Sequence, residues 1–120
     1  MRPSTRGGGL EAQVQSEQHT LDALRAQYTS RVLDVRVEVS RAQVDVLKAL
    51  DSAQANQDIA TYAEQALRLA RTRYHAQLTS FVELVTAEAA TEQAHGEYAQ
   101  ALYNYQIAQA RLSAAIGLEP

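Results

Sequence analysis

A chain of 120 residues with a formal charge of −3 and a pI near 5.5 is long enough for one modest domain. It has no basic surplus to displace counterions from phosphates, which excludes nucleic acid as a main partner. It contains no cysteine, which excludes disulfides, thiolate chemistry and Cys-ligated zinc, and its 46% apolar content, much of it alanine with one Phe and no Trp, favours long helix and coiled coil over an ordinary globular core.

Residues 1–9 read as a flexible, glycine-rich arm, with Pro3, Ser4 and then Gly7, Gly8 and Gly9. No apolar run follows the basic residues of "MRPSTRGGGLEAQ", so it does not read as a signal peptide. No window approaches the ~18 uninterrupted apolar residues of a spanning helix. As given, the sequence carries neither an export address nor a membrane anchor.

A first helix is predicted over about residues 10–74, since the chain from Leu10 to Arg73 holds no proline and no glycine. Two seven-spaced series run along it. One is Leu21, Tyr28, Val35, Ala42, Ala49, Asn56, Ala63 and Ala70; the other is Val32, Val39, Val46, Ala53, Ala60, Leu67 and Tyr74. Their alternating offsets of four and three make the seam of a left-handed coiled coil, with Asn56 as its polar member and candidate register device. "VLDVRVEVS", Val32 to Ser40, alternates apolar and polar like a half-buried strand and is rich in β-branched valine. The unbroken heptads and the absence of bounding turn residues decide for helix.

Ser80 and Glu83 form S-x-x-E, the signature of a capping box, in which the hydroxyl takes the N3 amide and the carboxylate reaches back to the cap amide. A second helix is therefore predicted from about 80 to 116, leaving 75–79 as a tight tip. Its seam is Leu84, Ala87, Thr91, Ala94, Tyr98, Ala101, Tyr105, Ala108, Leu112 and Ala115, largely a large residue alternating with alanine. Gly96 lies inside it, as expected of a close helix approach, and Gly117 is placed as a C-cap with Pro120 beyond.

So short a connection makes the two helices antiparallel neighbours. The fold class is all-α: a long antiparallel coiled-coil hairpin of unequal arms over residues 10–118. At 1.5 Å per residue the arms measure ~95 Å and ~55 Å. The seam residues Leu21, Leu24, Tyr28 and Val32 then find no partner in the chain, and other copies or a further part of the protein must cover them.

Three stretches carry a resemblance: "GGGLEAQV", then "ALRLARTRYHAQLTSFVELVTAEAA", then "YAQALYNYQIAQARLSAAIG". Together they resemble the second half of a TolC-type outer-membrane efflux protein over about residues 7–118, most specifically in Ala101 to Gly117. In that family a glycine pair opens a long periplasmic helix, a tip A-x-x-R-Y-x-x-G-x-x-S turns into L-x-V-L-x-A, and A-x-Y-N-Y-x-x-A-x-x-x-L-x-x-A-x-G closes the last helix. This chain departs from the pattern with Gln77 where the tip usually has glycine.

The resemblance implies the periplasmic helical part of an outer-membrane duct, located in the outer membrane and periplasm. It implies a homotrimer in the full-length parent, opened by a periplasmic adaptor and an inner-membrane pump to export small molecules. The first repeat and the membrane β-strands of the family are not in this sequence, so the chain reads as a fragment or remnant. The resemblance makes Tyr74, His75, Ala76, Gln77, Leu78, Thr79 and Ser80 the adaptor-docking tip, with Leu78 as its one apolar contact. It makes Glu83 the constriction residue, three copies of which form an anionic ring favouring cations. Thr86 lacks the second carboxylate that some members carry.

No enzyme activity and no cofactor are expected. His19, His75 and His95 are scattered, and no nucleophile–base pair can be drawn. Glu92 and His95 form E-x-x-H, half of a di-iron bundle signature, but a second such pair with two more carboxylates on facing helices is not found, so a solvated helix face is the expectation and no metal site. Of Tyr98, Tyr103 and Tyr105, two lie on the seam and read as packing. Two other classes remain: a free coiled-coil hairpin mediating protein–protein association, and the hairpin of a periplasmic adaptor, for which flanking lipoyl-like β-sequence is wanting.

Overall fold

The computed structural model describes residues 3–117, with side chains from residue 8 onward. Two helices, α1 (Pro3–His75) and α2 (Phe81–Gly117), account for nearly all of it. They pack antiparallel as an extended hairpin of 115 × 19 × 13 Å, with no strand among the described residues. The 115 Å length matches a single straight α1, whose 73 residues rise roughly 110 Å.

The heptads do the packing. On α1, Val35, Ala42, Ala53, Ala60 and Leu67 are buried, and Val32, Val39, Val46, Ala49, Ala63 and Ala70 are half-buried. On α2, Thr91, Ala94, Ala101, Ala108 and Ala115 are buried, while the larger Leu84, Tyr98, Tyr105 and Leu112 flank them half-buried. Small residues at the contact line bring the axes close, and the large ones close the sides of the seam. The valine-rich stretch from Val32 to Ser40 is helical: Val35 is 2% exposed, so packing compensates for a weak helix former.

One buried hydroxyl crosses the seam. Thr91 Oγ1 lies 2.8 Å from the Ala87 carbonyl one turn back and 3.2 Å from the Ala63 carbonyl on α1. Its single proton has an acceptor on each helix, so burial leaves it satisfied. Asn56 behaves differently from the expected register device. Its Nδ2 donates to the Ser52 carbonyl at 2.8 Å, within α1, because the amide reaches its own preceding turn more easily than the other helix.

Three expectations differ from the structure. The helix extends through Gly7–Gly9 back to Pro3, where a flexible arm over 1–9 was expected. Proline suits a first helical position, and glycine weakens a helix by about 1 kcal/mol without ending it. Gly96 is exposed, and a Cβ built on it meets nothing within 4 Å, so no close helix approach explains it. Gly117 is the last helical residue and has no positive φ, so it is not a left-handed cap. Met1 and Arg2 of the expected arm, and Pro120, lie outside the described residues.

The arms are unequal, as the heptads predict. Every described side chain from Gly8 to Arg31 is exposed. Cover by α2 begins at Val32, and the bare arm carries Leu10, Val14, Leu21, Leu24 and Tyr28 at 46–64% exposure.

Candidate functional site at the hairpin tip

The turn is built from backbone bonds first. The Leu78 amide donates to the Arg73 carbonyl at 2.8 Å and the Gln77 amide to the Tyr74 carbonyl at 2.9 Å. These nested bonds, six-to-one and five-to-two, are a Schellman motif, which satisfies carbonyls that the end of α1 would leave bare. The motif needs a left-handed residue, and Gln77 takes that place with φ 60°. Glycine would take that place without strain, and a side chain there carries a conformational penalty of about 1 kcal/mol. Arg73 and His75 in the last turn of α1 place basic groups at the negative end of the helix dipole.

Three residues on, α2 starts. Ser80 caps it: the Glu83 amide donates to Ser80 Oγ at 3.2 Å, and the Leu84 amide to the Ser80 carbonyl at 3.3 Å. Only half of the expected capping box forms. The Glu83 carboxylate does not return to the Ser80 amide but accepts a hydrogen bond from the Thr79 hydroxyl. Thr79 competes successfully because its donor hangs over the first turn, where the carboxylate also meets the positive end of the α2 dipole. Glu83 is thus tied to the turn and exposed.

The tip presents two different surfaces. Tyr74, His75, Gln77 and Thr79 line a shallow open recess of about 400 Å³. Leu78, Phe81 and Val82 form an apolar cap, 69%, 62% and 72% exposed. The Phe81 ring leans on Tyr74 across the turn, centroids 6.0 Å apart, which ties the two helix ends together. The expectation of Leu78 as the one apolar contact falls short, for Phe81 and Val82 stand beside it. Their signal was in the sequence: both are large apolar residues off the seam through Leu84 and Ala87, at a chain reversal where nothing covers them.

Further up the hairpin, His95 does not face Glu92. Its Nε2 lies 2.6 Å from Glu64 Oε1 on α1, both groups about half exposed. Arg71 and Glu88 make a second crossing contact at 3.9 Å, also exposed, of the kind that contributes ~0–1 kcal/mol. Among the described residues no three His, Cys, Asp or Glu side chains converge as a metal-binding group would, and no helix is long and apolar enough to cross a membrane.

A family model described as outer membrane efflux protein matches residues 5–118. The chain belongs to the outer membrane efflux protein family. The match runs through both helices and the tip, so the whole hairpin is a family element. Searches of curated proteins and of solved structures give no match. Family membership makes this a component of an outer-membrane transport duct.

Proposed function

We propose that the hairpin forms a periplasmic helical part of an efflux duct, with the tip from Tyr74 to Ser80, extended by Phe81 and Val82, as the docking surface for a periplasmic adaptor that couples to an inner-membrane pump. The observation that carries this reading is the apolar cap. Three large side chains are held in the open at the end of a 115 Å rod, on a turn fixed by a Schellman motif on one side and a serine cap on the other. An apolar cluster that no part of the chain covers marks a contact surface. A rigid turn presents it without a large ordering cost on binding. The recess beside it offers Gln77 and Thr79 for hydrogen bonds to a partner helix. Assembly is as a homotrimer in the full-length protein. There Glu83, one turn above the tip, contributes to an anionic ring that favours cations.

The test uses a full-length efflux protein carrying this hairpin. Leu78→Asp puts a charge into the apolar cap and lowers export in cells, while Glu83→Ala leaves adaptor binding intact and changes the single-channel conductance of the purified trimer. Normal export by Leu78→Asp and by Phe81→Asp, with loss of export from matched changes on the helix flanks, would move the docking surface to the sides of the barrel.

A further inference from the structure

The first turn of α2 offers the Glu83 carboxylate two donors, and it takes one. The S-x-x-E spacing assigns it to the Ser80 amide, yet the Thr79 hydroxyl holds it. Among the described residues no hydrogen bond takes the Ser80 amide. The other hydroxyls nearby are engaged elsewhere. Ser80 Oγ accepts the Glu83 amide at 3.2 Å, and Thr86 Oγ1 donates to the Val82 carbonyl at 2.7 Å. From Arg71 to Glu83, Thr79 is the one residue that is not fully exposed. Half-buried and β-branched, it presents its hydroxyl in a restricted place, and the longer, exposed Glu83 side chain moves to meet it.

We propose that Thr79 is a positioning residue for Glu83: its hydroxyl draws the carboxylate off the Ser80 amide, fixes where the charge sits at the tip, and so sets the ion preference of the duct. The inference rests on the reading of Glu83 as a member of an anionic ring. The field of such a ring falls with distance from each carboxylate, so a side chain that swings between two donors changes what a passing ion meets. Thr79 acts on the ion only through Glu83.

The 120-residue chain tests the first step. Thr79→Val keeps the branched shape and removes the donor. The carboxylate then returns to the Ser80 amide, whose hydrogen exchange should slow about five-fold, the equivalent of one net hydrogen bond. Thr79→Ser keeps the donor and should exchange like the parent. Thr79→Val combined with Glu83→Ala should restore fast exchange at Ser80. A Thr79 that served only as packing would give the reverse order, with serine disturbing the turn more than valine, and that order would overturn the proposal. Unchanged Ser80 exchange in Thr79→Val would overturn it as well.

The second step is read on the purified trimer of a full-length efflux protein carrying this hairpin, as the cation-over-anion permeability ratio in a salt gradient. Glu83→Gln should abolish the preference for cations, Thr79→Val should change the ratio by about two-fold or more, and Thr79→Ser should keep it. A ratio altered by Glu83→Gln but not by Thr79→Val overturns the role of Thr79 while leaving the ring in place. A ratio that Glu83→Gln leaves unchanged overturns the ring reading and the effect on ions with it, whereas Ser80 exchange still decides which donor holds the carboxylate.

Discussion

The two halves of α1 share one seven-spaced apolar series and meet different fates. From Val32 to Ala70 the seam is closed by α2, and its buried members are mostly alanine. From Leu10 to Tyr28 the apolar residues are open: Leu10, Leu21 and Leu24, with Val14 and Tyr28. The half that has a partner in the chain uses the smaller residues, because close approach of two backbones substitutes for side-chain bulk. The open half keeps the bulk on its surface. A heptad therefore says that a helix has a partner, and the size of its residues says how closely that partner comes, but neither says which chain supplies it.

The largest test of that contrast compares two leucines. Leu67, 8% exposed under α2, should lose about 2–4 kcal/mol of hairpin stability on change to alanine, read by denaturant unfolding of dilute protein. Leu24, 57% exposed, should lose less than about 0.5 kcal/mol under the same dilute conditions. Equal losses would mean that the open half is folded into the same cooperative unit.

The covered half exists only because the tip reverses the chain, so the tip sharpens the contrast next. Ser80→Ala should destabilise the hairpin by about 1 kcal/mol through loss of the bond to the Glu83 amide. Gln77→Gly should stabilise it by up to about 1 kcal/mol by relieving the left-handed side chain. Hydrogen exchange should show both changes in α2 and in residues 32–75 of α1, and neither in residues 10–31. A gain is expected at Gly96, where open space lets Gly96→Ala raise the thermal midpoint through about 0.5–1 kcal/mol of added stability. A loss there would reveal a contact on that face of α2.

Much of this was legible before the structure. The α2 seam from Leu84 to Ala115 matches the burial pattern position by position, since its period never breaks and its capping serine is explicit. The helical fate of Val32 to Ser40 followed from heptads continuing on both sides. Less of the tip was legible. A Schellman turn without glycine leaves no sequence mark, because its bonds are made by backbone and Gln77 has no preference for left-handed geometry. The start of α1 was misplaced because a glycine run reads as a stop when it is only a weak stretch of helix. Half of the capping box failed because a neighbouring hydroxyl, Thr79, lay within reach of the same carboxylate. Phe81 and Val82 lie off the seam, so the heptad spacing carries no sign of the surface they form with Leu78.

The alternation along α2 has one more consequence. A row in which bulky and small side chains repeat every seven residues meets its mate almost equally well after a shift of one period, like the teeth of a rack. The packing alone therefore tolerates sliding by roughly 10 Å at 1.5 Å per residue. The connection between His75 and Phe81 is too short to pay out that length of chain, so the turn holds the rack in place. Thr91, whose hydroxyl reaches the Ala63 carbonyl, is the single tooth of different shape. Lengthening the turn by one period would free the two helices to jump between neighbouring notches, and the relative height of the apolar cap would jump with them.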